Sequence, residues 1–458
     1  MALNPNPLQP RAMEALQSHV RGELLLPGDA RYAIGRRCWN ASVDRRPLGI
    51  VCCADAEDVT QTLRIASEYG LPVTVRGGGH NVAGRGVADE ALLIDLSRMR
   101  AVSVHADHRL AEVQGGALWH DVDVATARNG LATTGGMVSS TGVGGFTLGG
   151  GAGWLMRRFG LAVDNLQAAS VVLADGRFVR ASTDEHPDLF WGLRGGGGGL
   201  GVVTGFEFAL HPVRQVYAGV VVRPPEEAAL TLRAFRDFTL EAPDAFCGMV
   251  VLQHAPSLPF LDAAWHGRPV VITALCWSGD LAAAEEALAP LRRMGSPIVD
   301  HVGPMPYVQW QHLQDMGAPS GRHHYWKTVS YRSLPDGAIE TLAAGVLSLP
   351  SSLSEIHVQH LGGAVARIAA QETSFAQRDA GVFVNLIGVT QWPEEFLLVR
   401  ERVRALHDGL GNGALARPLP NFSDRDDGSV IDQLGPVSAE RLQALRRRYD
   451  PTGRFAPM

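Results

Sequence analysis

The sequence is poor in lysine and cysteine and has no long apolar segment. No apolar run approaches the roughly 20 residues that a membrane-spanning helix needs, so we expect no membrane partner. Residues 1–20 lack the charged start and apolar core of a secretory signal. The cysteines are odd in number and follow no metal-ligand spacing, which favours reduced thiols, no metal site and a cytoplasmic protein. They are Cys38, Cys52, Cys53, Cys247 and Cys276.

Basic residues are too scattered for a nucleic-acid-binding protein. The formal net charge is −6, and no run of basic side chains is present. Because phosphate neutralisation needs a clustered positive surface, nucleic acid is excluded as the main partner. Lysine occurs once, at Lys327. A general bias towards arginine explains this scarcity. The single remaining lysine reflects either chance or a site that needs a compact amine whose pKa can be lowered by burial.

Glycine, in contrast, is abundant and unevenly distributed. The 52 glycines concentrate at 77–79, 142–153 and 195–201, a distribution typical of ligand binding by the backbone. A chain of 458 residues is too long for one hydrophobic core, so two domains are expected. The 46% apolar and 19% charged content is typical of a globular protein with a large interior.

The hydrophobic pattern changes character at about residue 212. Before it we predict strands at 48–53, 73–75 and 91–96, a helix between Asp55 and Gly70, and another helix near 118–129. After it, longer strands alternate with amphipathic helices, and we predict an antiparallel sheet backed by helices. Its predicted strands are 249–253, 270–277, 357–361 and 382–389, and its predicted helices are 225–240, 281–292 and 393–410. A last helix aligns Leu442, Leu445 and Tyr449, and we expect it to return to the first domain.

The segment Arg76-Gly77-Gly78-Gly79-His80-Asn81 follows a short apolar strand. Three residues without side chains let the backbone turn sharply and bring its N–H groups to a ligand, for which a pyrophosphate is suitable. His80 then lies within reach of whatever the pyrophosphate carries. The alternative is a tight glycine turn beside a surface histidine.

The second glycine cluster, residues 135–154, mixes glycines with hydroxyl side chains, so N–H and O–H donors can converge on phosphate oxygens. It matches neither the G-x-G-x-x-G fingerprint after a strand nor a Walker loop, which disfavours a nicotinamide cofactor. The alternative is a structural bend rich in glycine. Together with the third cluster, residues 195–201, the first two glycine clusters are suited to wrap around an extended dinucleotide.

Together these motifs resemble the FAD-linked oxidases related to berberine bridge enzyme and 6-hydroxynicotine oxidase. The resemblance covers nearly the whole chain in order. It is carried by residues 76–81, 141–145, 148–151, Asp164-Asn165-Leu166, Pro187-Asp188-Leu189-Phe190-Trp191, 194–204, Tyr325-Trp326-Lys327, Leu361-Gly362-Gly363-Ala364, Arg378-Asp379-Ala380, Asn421-Phe422 and Tyr449-Asp450-Pro451.

The resemblance implies an α+β fold: a PCMH-type FAD-binding domain of two subdomains, and a substrate domain with an antiparallel sheet backed by helices. The implied ranges are 1–212 for the FAD-binding domain, 213–418 for the substrate domain and 419–458 for a C-terminal segment that returns to the first domain. The implied cofactor-binding residues are Arg76, Gly77, Gly78, Gly79, His80, Asn81, Gly84, Val138, Ser139, Thr141, Gly142, Gly144, Gly145, Leu148, Gly149, Gly150, Gly153, Trp154, Asp164, Asn165, Gly201, Val202, Val203, Asn421 and Phe422.

The resemblance also implies a covalent bond between His80 and the 8α-methyl of the flavin. An imidazole nitrogen is a good nucleophile near neutral pH. Some members of the family have a second link through a cysteine, at the position that Val138 occupies here, so we predict a single attachment. Two other departures are Gly199-Leu200, where the family has Asn-Phe, and Arg367, where plant members have a glutamate base.

The predicted catalytic residues are Tyr325 and Lys327, with His360 and Gln359 as further candidates. Residues two apart on a strand share a face, so Tyr325 and Lys327 are expected to point into the pocket while Trp326 packs behind. A buried lysine with a lowered pKa can act as a base or hold a water. The alternative is a surface pair at a sheet edge.

The predicted function is oxidation of a small organic substrate, an alcohol, an amine or a natural-product intermediate. The substrate loses a hydride to covalent FAD, and O2 reoxidises the flavin to give H2O2. The alternatives are a dehydrogenase with another electron acceptor and a flavin-binding protein that has lost catalysis. No metal is expected, since His357 and His360 lie three apart on a strand and their faces diverge. The sequence leaves a homodimer open.

Overall fold

The structure is a computed structural model that describes residues 9–415 and 419–456. In these residues the strands are β1 (Glu23–Leu25), β2 (Gly49–Cys52), β3 (Val73–Arg76), β4 (Leu92–Asp95), β5 (Val102–His105), β6 (Leu110–Gln114), β7 (Leu131–Ala132), β8 (Leu166–Val172), β9 (Phe178–Ser182), β10 (Val202–Ala209), β11 (His211–Pro212), β12 (Gln215–Arg223), β13 (Phe246–His254), β14 (Pro269–Trp277), β15 (Val299–Pro306), β16 (His323–Tyr331), β17 (Glu355–His360) and β18 (Val382–Thr390).

The α-helices of the same residues are α1 (Gln9–His19), α2 (Tyr32–Gly35), α3 (Ala56–Glu68), α4 (Trp119–Ala127), α5 (Val143–Leu148), α6 (Met156–Phe159), α7 (Pro187–Leu193), α8 (Ala228–Glu241), α9 (Leu281–Arg292), α10 (Tyr307–Gln311), α11 (Asp336–Gly345), α12 (Ala364–Arg367), α13 (Phe396–Gly409) and α14 (Pro436–Tyr449). Single 3-10 turns occur at Ala106–His108, Ala162–Asp164, Pro225–Glu227, Ala263–Trp265, Asp315–Gly317, Val346–Ser348, Pro393–Glu395, Pro420–Phe422 and Arg425–Asp427. No described helix combines the length and the hydropathy needed to cross a bilayer.

A four-stranded sheet, in the order β1-β2-β4-β3, positions the first glycine loop. Its strands β2, β4 and β3 are parallel, and α3 covers them. The predicted helix start is confirmed, because the Asp55 side chain accepts hydrogen bonds from the N–H groups of Glu57 and Asp58. Gly70 follows the helix with φ +71°, as a helix-ending glycine does. The loop 77–81 begins where β3 ends, at the carboxyl edge of the parallel strands.

A five-stranded antiparallel sheet, β5-β6-β10-β8-β9, carries the other two glycine loops. Its core contains Trp119, Phe206 and Phe208 and is closed by helices α4, α5, α7 and α14. Gly142 is the N-cap of α5, and Gly201 directly precedes β10. A two-stranded ribbon, β7 with β11, leads to the second half of the chain.

The second half forms a seven-stranded antiparallel sheet in the order β15-β12-β14-β13-β17-β18-β16. Helices α8, α9, α11 and α13 cover one face with apolar side chains such as Leu232, Leu288 and Ile339. The predicted antiparallel sheet backed by helices is therefore confirmed. The helices predicted to begin at 225 and 393 each begin with a 3-10 turn instead, Pro225–Glu227 and Pro393–Glu395, before the α-helix continues.

The C-terminal segment lies on the first half of the chain. Leu442, Leu445 and Tyr449 are buried in the core of the five-stranded sheet. Beyond α14, the backbone runs beside β3: Val73 N–H donates to Arg454 at 2.8 Å, and Ala456 N–H donates to Val73 at 2.9 Å. The expected return of the tail is thus observed. The predicted boundary at residue 418 lies outside the described residues.

Candidate functional site

A cavity of about 860 Å³ separates the glycine loops from the uncovered face of the seven-stranded sheet. Its size is in the range of cofactor and small-ligand sites. Most positions predicted to bind the cofactor line it: Arg76, Gly77, Gly78, Gly79, His80, Asn81, Gly84, Val138, Thr141, Gly142, Gly144, Gly145, Leu148, Gly149, Gly201, Val203, Asn421 and Phe422. The glycines 197–199 of the third cluster also line it.

The first two glycine loops touch through their backbones. A Cβ added to Gly78 would lie 2.5 Å from the nitrogen of Gly142, and one added to Gly142 would lie 2.3 Å from the nitrogen of Gly78. No real Cβ approaches backbone so closely, so both positions exclude every other residue type unless the loops move apart. Gly145, in contrast, has nothing within 4 Å of its Cβ position, because it faces the open cavity.

The loop after β3 offers free hydrogen-bond donors to the cavity. Among the described residues, no acceptor receives a hydrogen bond from the backbone N–H groups of residues 78–81. Arg85 also lines the cavity: its Nη2 donates to Gly428 O at 2.7 Å, whereas its Nη1 is buried without a partner in the described part of the chain. Successive N–H groups beside a guanidinium that makes no direct ion pair in the described residues form a site for an anion. Arg76, by contrast, is neutralised by Asp95.

His80 is held on two sides. Its Nε2 lies 2.8 Å from Ser140 Oγ, and its ring stacks on Trp39 with centroids 4.7 Å apart. Burial of the imidazole lowers the pKa of His80 to about 4, against a smaller opposing effect of the Asp315 carboxylate. The ring is therefore uncharged near neutral pH and its free nitrogen is nucleophilic.

Seven positions predicted to bind the cofactor are not among the residues that line the cavity, and their contact with the cofactor stays a prediction. They are Ser139, Gly150, Gly153, Trp154, Asp164, Asn165 and Val202.

The Asp164 carboxylate accepts two hydrogen bonds from Arg378, at 2.7 and 2.8 Å. Asn165 donates to Leu161 O at 2.8 Å and is 2.6 Å from His211 Nε2. Trp154 packs against Trp310 in the core below the sheet. These polar and aromatic side chains fix the loops from behind, which a sequence motif cannot distinguish from contact with the ligand.

The prediction that Tyr325 and Lys327 point into the pocket is wrong. Both alternate to the opposite face of β16, and Trp326, predicted to pack behind, lines the cavity. Lys327 Nζ pairs with Asp426 at 2.8 Å and with Asp427. Burial lowers the pKa of this ammonium, but the hydrogen bonds to the two carboxylates outweigh burial and raise it. Lys327 is thus charged, and a base with a lowered pKa is excluded.

Tyr325 belongs to the same cluster. Its hydroxyl donates to Asp426 at 2.7 Å and accepts from Arg404 Nε at 2.8 Å. Burial, with the hydrogen bond to Asp426, raises the pKa of Tyr325 to about 12. The cluster therefore joins β16 to the turn Arg425–Asp427 and stabilises the returning segment.

His360 is a further correction, since it lies on the helix-covered face of β17 beside Phe246. Burial lowers the pKa of His360 to about 3, so it is a neutral core histidine. Gln359, one position earlier, does line the cavity, and its Nε2 lies 3.7 Å from Met137 Sδ.

The sheet side of the cavity is mostly apolar, with a few polar groups from β16, β17 and β18. His357 Nε2 lies 2.7 Å from Glu355 Oε2, and both residues line the cavity. Asn385 faces His357 across the strand pair. Asn385 Oδ1 and Trp326 Nε1 are buried without a hydrogen-bond partner among the described residues, so they are available to a ligand. Within residues 9–415 and 419–456, no group of three or more metal-binding side chains is placed to hold an ion.

Sequence reasoning missed several lining residues because no local motif marks them. Trp39 and Cys38 precede β2 and reach the cavity by tertiary packing, and the loops 253–260 and 313–319 close its sides. His357 and Glu355 lie two apart on β17 and therefore share a face, but the predicted strand, 357–361, begins after Glu355.

The comparisons with known proteins agree with the geometry. The profile of a family described as "FAD binding domain" matches residues 47–182. The FAD-linked oxidoreductase hasG of Aspergillus fumigatus is 31% identical, with 94% of this chain and 95% of that protein covered. The (R)-6-hydroxynicotine oxidase of Paenarthrobacter nicotinovorans is 29% identical, with 95% of each chain covered.

Solved structures share the fold. The crystal structure of 6-hydroxy-D-nicotine oxidase from Arthrobacter nicotinovorans superimposes with a TM-score of 0.80 at 26% identity, over 95% of this chain and 96% of that chain. The berberine-bridge-enzyme-like protein 1 of Physcomitrella patens superimposes with a TM-score of 0.86 at 19% identity, over 97% of each chain. The second likeness is one of fold alone.

Proposed function

This chain belongs to the FAD-linked oxidoreductases of the 6-hydroxynicotine oxidase and berberine bridge enzyme type, and we propose that it is an oxidase with a single covalent FAD. It takes a hydride from carbon of a small organic substrate, and O2 is the final electron acceptor, giving H2O2. The observation that carries this proposal is the continuity of the cavity: one space joins the anion-binding loop, His80 and the sheet face that bears His357.

The residues present fit FAD. The free N–H groups of 78–81 and the unpartnered Nη1 of Arg85 suit its diphosphate, while Gly78 and Gly142 keep the two loops close enough to wrap it. The cavity extends from Val73 and Phe455 at one end to the sheet face at the other, so a long dinucleotide has room along it. When bound, FAD supplies the acceptor for the substrate's hydride.

A single attachment through His80 is the arrangement that the side chains favour. Val138 lines the cavity at the position of the second link in some relatives, and it has no nucleophile. Cys38 is another cavity residue, but burial raises the pKa of its thiol from a value already above neutrality. A protonated thiol is a poor nucleophile.

Tyr325 and Lys327 lie on the face of β16 that points away from the cavity, so they are not the acid–base groups. His357, which lines the cavity, is the proposed base instead. Glu355 accepts a hydrogen bond from His357 Nε2, which leaves Nδ1 as the basic nitrogen. His357 Nδ1 then accepts the proton of the substrate's O–H or N–H while the adjacent C–H gives its hydride, so that a C=O or C=N bond forms. An alcohol, an amine or a natural-product intermediate of this kind is the proposed substrate class.

The proposal is tested by mixing the yellow enzyme anaerobically with panels of alcohols, amines and polyketide-like compounds, and recording loss of flavin absorbance. We expect at least one class to bleach the flavin and air to restore the colour rapidly with one H2O2 per flavin. Reoxidation in air far slower than turnover with an artificial dye would favour a dehydrogenase. Absence of bleaching across the panels would favour a flavin-binding protein without catalysis.

Two further proposals concern the setting of the enzyme. All five cysteines are free thiols, which supports a cytoplasmic location. We also propose the domain ranges 1–212, 213–418 and 419–458, because the main chain passes from the two smaller sheets to the seven-stranded sheet after β11 and returns to the first sheet beside β3. A homodimer stays a prediction, which sedimentation measurements will decide.

A further inference from the structure

The segment that faces His80 is held rigidly from outside the cavity. Thr141 N–H donates to Val138 O at 3.0 Å, which closes a turn over residues 138–141. The Asp315 carboxylate accepts hydrogen bonds from Ser139 N–H at 2.7 Å and from Ser139 Oγ at 2.6 Å. Ser140 lies between these anchored residues, which set the position of its backbone beside His80.

The two ring nitrogens of His80 are in different surroundings. Nε2 lies 2.8 Å from Oγ of Ser140, an exposed residue that does not line the cavity. His80 itself lines the cavity, and because Nε2 is engaged by Ser140, Nδ1 is the ring nitrogen left for a ligand. Among the described residues, Nδ1 has no hydrogen-bond partner. Stacking on Trp39, with planes 20° apart, prevents the ring from tilting.

We propose that Ser140 is a positioning residue for cofactor attachment: it accepts a hydrogen bond from His80 Nε2–H and so presents the unprotonated Nδ1 to the flavin 8α-carbon. The inference rests on the covalent attachment in the proposed function. It goes beyond it by assigning the residue that selects the bonding nitrogen in this chain.

The bond changes balance with O2 as the oxidant. The Nδ1–C8α bond forms, one C–H bond of the 8α-methyl breaks, and His80 loses the proton on Nε2. The two protons and two electrons released reduce one O2 to H2O2. Because Ser140 is exposed, its hydroxyl offers the Nε2 proton a path to solvent.

The neutral state of His80 supports this role. Burial lowers its pKa to about 4, so the ring carries one proton, which in the proposed arrangement lies on Nε2 and is donated to Ser140. Trp39 is itself anchored, because its N–H donates to Gly79 O at 3.0 Å and its indole donates to Ala318 O at 3.1 Å. The orientation of the imidazole is thus fixed by its two neighbours.

The test compares the purified wild-type holoprotein with Ser140→Ala and Ser140→Thr. Each is acid-precipitated to measure the attached fraction of flavin, and the flavin peptide is isolated after proteolysis. NMR then assigns the bond: three-bond couplings of the 8α-methylene protons reach Cγ and Cε1 if Nδ1 is attached, but Cδ2 and Cε1 if Nε2 is attached.

We expect the Nδ1 product in the wild type. Ser140→Ala should give a smaller attached fraction and roughly a fivefold lower ratio of Nδ1 to Nε2 product, the preference that about 1 kcal/mol of hydrogen bonding supplies. Ser140→Thr, which keeps the hydroxyl, should restore both. An Nε2 product in the wild type, or an unchanged ratio and fraction in Ser140→Ala, would overturn the inference while leaving covalent attachment intact. Flavin released entirely from the wild type would instead overturn the covalent attachment itself.

Discussion

Replacing Lys327 with methionine distinguishes a catalytic lysine from a structural one. The side chains of Lys327 and Asp427 are 10% and 11% exposed, so the variant leaves a nearly buried carboxylate without its cation. Removing one partner of a buried ion pair costs about 3–5 kcal/mol. Asp426 keeps its contacts with Arg404 and Tyr325 and is 33% exposed. The loss of folding stability should therefore lie near the lower end of this range, at about 3 kcal/mol.

Lys327→Met should also weaken the binding of FAD. The turn that Lys327 holds is followed by Gly428, whose carbonyl accepts a hydrogen bond from Arg85. We therefore expect Lys327→Met to lower the melting temperature and the FAD content, with little change in the rate of flavin reduction per bound FAD. The matched control is Arg332→Met, whose partner Asp379 is exposed, for which less than about 1 kcal/mol is expected.

The pH dependence of this stabilisation follows from the pKa shifts of Asp426 and of Lys327. Hydrogen bonds and charge from Lys327, Tyr325 and Arg404 hold the pKa of Asp426 below its ordinary value despite burial, so its contribution is present above about pH 4 and is lost in stronger acid. The raised pKa of Lys327 means that its contribution is present below about pH 10 and is lost above it. Thermal denaturation should thus show a constant difference in melting temperature between wild type and Lys327→Met from about pH 5 to 9. A normal melting temperature with slow flavin reduction would refute the reasoning.

Three other substitutions test other parts of the structure. Burial raises the pKa of Asp123 to about 8, so wild-type stability should fall from about pH 4 to 8, and Asp123→Asn should remove this fall in melting temperature. Gly78→Ala should lower FAD content, measured by absorbance, because its Cβ would collide with the Gly142 backbone, whereas Gly337→Ala, with open space around it, should not. His357→Gln should slow flavin reduction at least tenfold, with FAD content unchanged.

Each of these expectations has a contradicting result. An Asp123→Asn melting curve that parallels the wild type across pH would mean that this carboxylate is not protonated in the fold. Normal FAD content in Gly78→Ala would mean that the two loops separate at little cost. An unchanged rate of flavin reduction in His357→Gln would remove this histidine as the proton acceptor.

The glycine loops and the helix-backed sheet could be predicted because their signals are local. The cap at Asp55, the strand before Arg76 and the spacing of Leu442, Leu445 and Tyr449 each depend on a few neighbouring residues. Backbone approach requires glycine whatever the rest of the chain does, so residues 77–79 predicted a loop at the cavity without tertiary information.

The face of β16 could not be predicted in the same way. Because side chains alternate along a strand, the sequence predicts that Tyr325 and Lys327 lie on the same face. It does not predict which face of the sheet the helices cover. Asp426 and Asp427, which decide the matter, lie about a hundred residues further along the chain. Lys327 was correctly singled out as unusual, but its compact ammonium serves an ion-pair cluster. Trp39 was missed for the same reason, since only tertiary packing brings it to the cavity, whereas Arg85 directly follows the predicted position Gly84.

The central claim is that this cavity holds FAD through one covalent bond to His80. The most direct measurement is the mass of the acid-denatured protein, for the wild type and for His80→Ala. The account predicts a wild-type mass increased by one FAD less two hydrogens, and a His80→Ala variant that is yellow as purified but has the mass of the bare chain once denatured. A wild-type protein that releases all its flavin, or a His80→Ala variant that retains it, would contradict the account.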